Sequence, residues 1–267
     1  MLHRTEGIVL RTIPFGDADL IVFFLTPDYG ILKTFAKSPL KTKSRFGSSL
    51  EPLTHARIAY WGKEDATLPR LTQSDIIHPF QLIRDSLGCF LMIIEILELT
   101  LQLIPEGEAN KKVYSLFLHT LHNIENNLPE APYTPLWKRR GERDFKRERA
   151  GLDLWIIHYK IKFLKFTGYA PKLDACGRCG KNGHCFYVSQ GSIICEACTS
   201  GMDSPVKIPQ RTVKLYSDLL TWDIAKVNRI RASDIFLSEL SNIIGIHIKH
   251  VLTKPLKCET FIRSLSH

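Results

Sequence analysis

The hydrophobic pattern changes period once along the chain. From Leu2 to Ile76, β-branched and aromatic residues recur in short runs separated by turn signals. Residues 7–12, 19–25, 31–36, 55–61 and 71–76 predict five strands. Pro27-Asp28-Tyr29-Gly30 predicts a tight turn between the second and third, with proline presetting φ and glycine free to go left-handed. Five short strands in about 75 residues suit a small closed barrel, either an OB-fold or an SH3-like one, and strand count does not separate the two.

From Pro79 onward apolar residues recur at helical spacing. Leu87, Phe90, Leu91, Ile94, Leu97, Leu101 and Ile104 predict a helix that Pro105 and Gly107 stop. Glu95 and Glu98 sit in the middle of this apolar run, where a bilayer would charge about 3 kcal/mol for each, so the segment reads as a buried helix. A second helix is predicted over 109–127, with Val113, Leu116, Phe117, Leu121 and Ile124 on one side, and Pro129, Pro132 and Pro135 mark a connection after it.

Leu152, Trp155, Ile156, Tyr159, Phe163 and Phe166 form one stripe, and Ile157, Ile161 and Leu164 cover a second face. A helix apolar on two faces is a central one, and Gly168 is placed to end it. Trp155, Tyr159 and Phe163 therefore read as core, not as a base-stacking ladder. Pro209 is expected to open a helix running through Leu220, and Ser233 to cap a last long one reaching Leu252. His247 and His250, three apart on that helix, read as surface histidines.

Four cysteines change the picture. Cys176-Gly177-Arg178-Cys179 and Cys195-Glu196-Ala197-Cys198 have the spacing of a four-thiolate zinc site. Each Cys-x-x-Cys turn aims two sulfurs at one tetrahedral ion, and the intervening segment is long enough for a small hairpin that brings the turns together. Gly177 and Gly180 allow the tight backbone this needs. The competing readings, buried small hydrophobes or two disulfides, fit less well with a polar, glycine-bearing segment. A four-cysteine site is closed, so one structural Zn2+ per chain is expected. His184 and Cys185 lie inside the loop without partners at ligand spacing and read as ordinary loop residues.

The formal charge of +9 is local. Residues 138–175 carry 11 basic and 5 acidic groups, whereas 81–137 carry 3 and 7. The run 138–149 is either a solvated linker or a second contact surface for DNA or an acidic peptide. Between Tyr29 and Leu50 stand Lys33, Lys37, Lys41, Lys43 and Arg45 with no acidic residue. Such a loop can merely keep a barrel edge from pairing, or it can track phosphates beside exposed aromatics such as Phe46. The first seven residues have no apolar core of signal-peptide length, and seven cysteines without export point to a reducing compartment.

Thr5-Glu6-Gly7-Ile8-Val9-Leu10-Arg11, Gly16-Asp17-Ala18-Asp19-Leu20-Ile21-Val22, Phe35-Ala36-Lys37 and Lys43-Ser44-Arg45-Phe46-Gly47-Ser48-Ser49-Leu50-Glu51-Pro52 resemble the N-terminal barrel of the bacterial RecO recombination-mediator family. Motif similarity covers residues 5–52, 176–198 and, more weakly, the Lys254-Pro255-Leu256-Lys257 tail. The resemblance implies an α+β chain: a five-stranded OB-fold barrel (1–79), then a helical domain (80–172 and 203–267) with an inserted four-cysteine zinc module (173–202).

It also implies single- and double-stranded DNA as ligands, and RecR, the acidic tail of single-strand-binding protein and, indirectly, RecA as partners. The implied place is the cytoplasm of a bacterial cell, at the nucleoid. Arg11, Lys33, Lys37, Lys41, Lys43 and Arg45 are the DNA-contact candidates.

No phosphate loop, His-Glu-x-x-His helix, nucleophile elbow, deaminase His-x-Glu element or carboxylate cluster of the two-metal type is present. A binding protein with no catalytic residues, small-molecule substrate or membrane attachment is expected. The alternative is a zinc-bearing adaptor whose basic surfaces hold acidic proteins or RNA.

Overall fold

The computed structural model describes residues 1–40, 44–63, 66–128, 152–199, 205–229 and 233–258. The chain divides into two compact units, Met1–Gly141 and Glu142–His267.

The first unit opens with five strands: β1 (Leu2–Phe15), β2 (Asp19–Thr26), β3 (Gly30–Ala36), β4 (His55–Trp61) and β5 (Arg70–His78). They follow one another around a barrel in the order β1-β2-β3-β5-β4. Long β1 pairs with β4 through its first half and with β2 through its second, both antiparallel. A bulge between Val9 and Arg11 lies where it changes partner and leaves Ile8, Val9 and Leu10 all buried. β3 meets β5 in parallel over only two residue pairs, Phe35 with Arg70 and Ala36 with Leu71. This strand order is that of the OB-fold, which separates the two barrels that strand count left open. Gly30 holds φ +56° at the β2–β3 turn, and a side chain there would meet the Glu108 carbonyl oxygen at 2.2 Å.

Inward positions alternate along β2, where Leu20, Val22 and Phe24 join Val9, Ala36, Ala56, Ile58 and Leu71 in the core. Phe46 and Leu50, from the β3–β4 loop, complete that core. Phe46 is only 3 % exposed, which corrects the expectation that it stands in solvent as a stacking surface. With β3 and β5 joined over two residue pairs, apolar cover from the loop keeps water from the barrel interior. Phe46→Ala should therefore lower unfolding free energy by about 3–5 kcal/mol, the cost of emptying a buried aromatic site. Chemical denaturation checks this, and a loss under 1 kcal/mol would mean that Phe46 does not plug the barrel.

Among the described residues, three helices follow in the first unit: α1 (Gln81–Asp85), α2 (Leu87–Leu103) and α3 (Lys111–Asn127). Short α1 is absent from the sequence expectation. Ser86 caps α2 by accepting the Cys89 amide, and Asn110 caps α3 by accepting that of Val113. Leu87, first in the expected apolar stripe of α2, is exposed, while Met92, Ile93, Ile96 and Leu99 are buried. A helix apolar nearly all round gives periodicity little to choose between. Among the described residues no helix is long and apolar enough to cross a membrane.

The second unit carries α4 (Leu152–Thr167), α5 (Gln210–Thr221), α6 (Ile224–Val227) and α7 (Asp234–Val251). As expected, α4 is central, with Tyr159 and Phe163 fully buried and stacked at 5.6 Å. Gly168 closes it at φ +83°, and the Tyr169 amide reaches the Leu164 carbonyl. Two helix starts fall where expected and one local expectation fails. Pro209 is the N-cap of α5 and precedes its first turn. Ser233 caps α7 without a side-chain bond. His247 is buried, not at the surface, because it lies on the face of α7 shared by Leu240, Ile243 and Ile244, with Nε2 2.7 Å from the Tyr169 carbonyl oxygen.

Between α4 and α5 lies a small sheet of β6 (Lys172–Cys176), β7 (Cys185–Tyr187), β8 (Ser192–Ile194) and β9 (Val206–Lys207), in the order β6-β8-β7-β9. The expected hairpin is β7–β8, and Cys185, read as a loop residue, is its first member.

Candidate nucleic-acid interface and metal centre

The outward positions of β1, β2 and β3 build a continuous surface. Cross-strand pairing places Arg11 opposite Phe23, and Phe23 opposite Lys33, so these three form one row. The next row is Ile13, Ile21 and Phe35, and beyond it Phe15 stands opposite Asp19. Phe15 is 53 % exposed and meets Phe35 edge-on at 5.8 Å, while Phe23 and Phe35 are half-buried.

Lys33 Nζ lies 5.5 Å from the Phe23 ring centre and 3.8 Å from Glu106 Oε1. Such an exposed ion pair is worth about 0–1 kcal/mol, so Lys33 can exchange Glu106 for a phosphate at little cost. Asp19 Oδ1 accepts the Ser38 amide at 2.6 Å, which engages the one carboxylate of these rows and fixes the start of the basic loop.

Of the DNA-contact candidates, Arg11 and Lys33 are thus brought together on one barrel face. Lys37 is exposed just past the end of β3, and Arg45 is exposed with its guanidinium 4.9 Å from the Phe46 ring centre. Lys41 and Lys43 lie outside the described residues, as does the run 138–149. Sequence reasoning missed Phe15, Phe23 and Phe35. The signal was the alternation in β2 and β3: if Leu20, Val22 and Phe24 point inward, Ile21 and Phe23 point outward, and pairing carries Lys33 and Phe35 with them.

The four cysteines converge as their spacing predicts. Their sulfurs all lie within 4.8 Å of one another. Cys176 ends β6 and Cys195 follows β8, so the β6·β8 pairing sets the two turns side by side. Each turn closes on itself: the Gly180 amide donates to the Cys176 carbonyl and the Cys198 amide to that of Cys195, both at 2.9 Å. Gly180 takes φ +75°, and Gly177 lies so close to β8 that a side chain would meet Ser192 Oγ at 2.3 Å. Arg178 ties the turns together by donating to the Cys198 carbonyl.

Cys176 and Cys195 are buried, Cys198 is half-buried and Cys179 is exposed. The Cys195 backbone amide outweighs burial, which acts upward, and brings the Cys176 thiol down to about 6, while the sulfurs of Cys179 and then Cys195 push Cys198 up to about 12. Four thiols this close cannot all ionise unless a cation compensates them. Bonds of about 2.3 Å at tetrahedral angles place sulfurs roughly 3.8 Å apart, so the donor set fits a single ion with small side-chain rotations.

An OB-fold barrel with a basic, aromatic outer face, in one chain with a helical unit that holds a four-cysteine cluster, defines a class of α+β architecture. Family models agree on which: residues 1–80 match that of recombination protein O, N terminal, and residues 149–259 that of recombination protein O, C terminal. The chain is 39 % identical over 258 residues to the DNA repair protein RecO of Thermodesulfovibrio yellowstonii, covering 94 % of each. It is 28 % identical over 267 residues to the protein of that name from Dehalococcoides mccartyi, covering 98 % of this chain and 96 % of the other. The same identity holds over 262 residues with that of Syntrophus aciditrophicus. The chain belongs to the RecO family of DNA repair and recombination proteins.

Proposed function

We propose that this chain is a recombination mediator in DNA repair that acts by binding and not by bond chemistry. It holds single-stranded and double-stranded DNA on the outer face of β1–β3 and the adjoining loop, and anneals complementary strands. With RecR, it helps replace single-strand-binding protein with RecA. The acidic tail of single-strand-binding protein docks on the helical part of the chain, and the protein works in the cytoplasm at the nucleoid.

The observation that carries the reading is the row Arg11–Phe23–Lys33 beside Phe35 and Phe15. Cations neutralise backbone phosphates while ring faces stack bases without sequence preference, which is what single-strand binding needs. Annealing asks in addition that two backbones be neutralised at once while bases stay free to pair; exposed Lys37 and Arg45 extend the positive surface past the strands, and Lys41 and Lys43 lie between them in the sequence. An adaptor for acidic proteins has no use for the three phenylalanines.

The four cysteines hold one structural Zn2+, the ion their soft thiolates favour over hard cations. With four sulfurs bound no position is left for water, so the ion staples the module and takes no part in chemistry.

Annealing of complementary strands by the purified protein, with and without single-strand-binding protein on them, tests the function. Annealing should be faster than the spontaneous reaction and should persist on coated strands. No acceleration on naked strands and no affinity for single-strand-binding protein would reject the mediator role.

A further inference from the structure

In the barrel-bearing unit, three potential metal donors converge that have no part in either site above. His78 ends β5, and His122 and Glu125 stand three apart on α3. One donor atom from each lies within 4.8 Å of the others, and His78 Nε2 is 2.5 Å from Glu125 Oε2. The rings of His78 and His122 are 5.2 Å apart, and Phe80, fully buried and held at φ +48°, packs edge-on against both.

We propose that His78, His122 and Glu125 form a second metal site, binding a borderline-soft divalent ion of the zinc, cobalt or nickel class.

Three observations carry this. The donor types are two imidazole nitrogens and one carboxylate oxygen, the set that selects such ions over magnesium or calcium. Bonds of about 2.0–2.2 Å at tetrahedral angles put donors roughly 3.3–3.6 Å apart, which small side-chain rotations reach from the present positions. Second, the supports are rigid: Leu121 and Ile124 beside the ligands on α3 are fully buried, and buried Phe80 fixes the exit of the chain from β5. Third, the Glu125 side chain is only 11 % exposed, and among the described residues its ion-pair partner is His78, with no lysine or arginine at that distance. A carboxylate so withdrawn from water calls for firm positive charge.

Bound there, the ion would join the last residue of the barrel's final strand to α3, with a fourth position left for water. One metal per chain, as expected from the cysteines alone, becomes two.

The test is a cobalt titration of untagged, full-length protein already carrying its cysteine-bound zinc, at neutral pH, followed by calorimetry and visible absorption. One further equivalent should bind, with the weak d–d absorption of nitrogen and oxygen ligation and without thiolate-to-cobalt charge transfer. His122→Gln and Glu125→Gln should each weaken it by about 100-fold or more, since even losing a group that only orients a ligand costs about 10–100-fold. His250→Ala, at an exposed position in the other unit, should leave it unchanged. The proposal is overturned by no further equivalent in the wild type, which leaves His78 and Glu125 an ion pair only. It is overturned equally by absorption showing thiolate charge transfer alone, or by binding that both ligand variants retain. Should the variants not fold, the wild-type titration decides by itself.

Discussion

Serine at both Cys176 and Cys195 should abolish metal binding and unfold the β6–β9 sheet, while any single-strand affinity of the barrel should be retained. The size of the effect follows from what else holds that segment. Its four strands are two to five residues long; the cluster around Cys176 and Cys195 adds only Tyr187 and Ile194, and Leu173, Phe186 and Ile193 are the other buried apolar residues of these strands. Metal binding by a structural zinc site contributes on the order of 10 kcal/mol, as much as the whole stability of many domains. Amide exchange reads the result locally: the Gly177 amide, bonded to the Ile193 carbonyl at 2.8 Å, should lose its protection. A zinc-free variant with that amide still protected would show that the sheet stands without metal. Loss of DNA binding in a variant that stays folded would return the cysteines to the functional site.

The second large effect belongs to the barrel. Phe23→Ala combined with Phe35→Ala should lower single-strand affinity at least about 30-fold, since each stacked base contributes roughly 1–3 kcal/mol. Duplex affinity should fall much less, because paired bases offer no free face to these rings. Both phenylalanines sit on the outer side of their strands, away from the Leu20, Val22 and Phe24 core, so circular dichroism should show the barrel retained. Fluorescence anisotropy with an oligothymidine and its duplex measures both affinities. Equal losses for the two substrates would mean that these rings support the surface and stack no bases.

These two predictions draw on parts of the sequence that were legible to different degrees. The cysteine module was readable because its chemistry fixes its spacing: two Cys-x-x-Cys turns have one common purpose, and the sheet brings them within reach of one ion. β6 and β9 are not legible, since strands of five and two residues, the first with an irregular register, present too few positions for a period to appear. The barrel strands were legible within a few residues. β1 extends five residues earlier than its apolar run suggests, because its polar first half pairs with β4 along nearly its full length.

Phe46 misled because local charge spoke louder than spacing. Set among Lys37, Lys41, Lys43 and Arg45 it looked solvent-facing, yet Phe46 and Leu50 are four apart and both buried. His250 is exposed, but His247, three and four residues beyond Ile244 and Ile243, lies on the buried face of α7. The His78, His122 and Glu125 cluster had only one local trace, the three-residue spacing of His122 and Glu125. Its third member comes from a strand more than forty residues earlier, and only the packing of α3 beside β5 supplies it.

That the outer face of β1–β3 neutralises DNA phosphates is the central claim, and salt dependence measures it most directly. For the wild-type protein on a single strand, log K against log[salt] should fall with a slope on the order of −3, from about −0.7 per phosphate contact. Arg11→Ala with Lys33→Ala should flatten that slope by about 1.4, two contacts' worth. A slope unchanged in the double variant would contradict the account and move the DNA off this face.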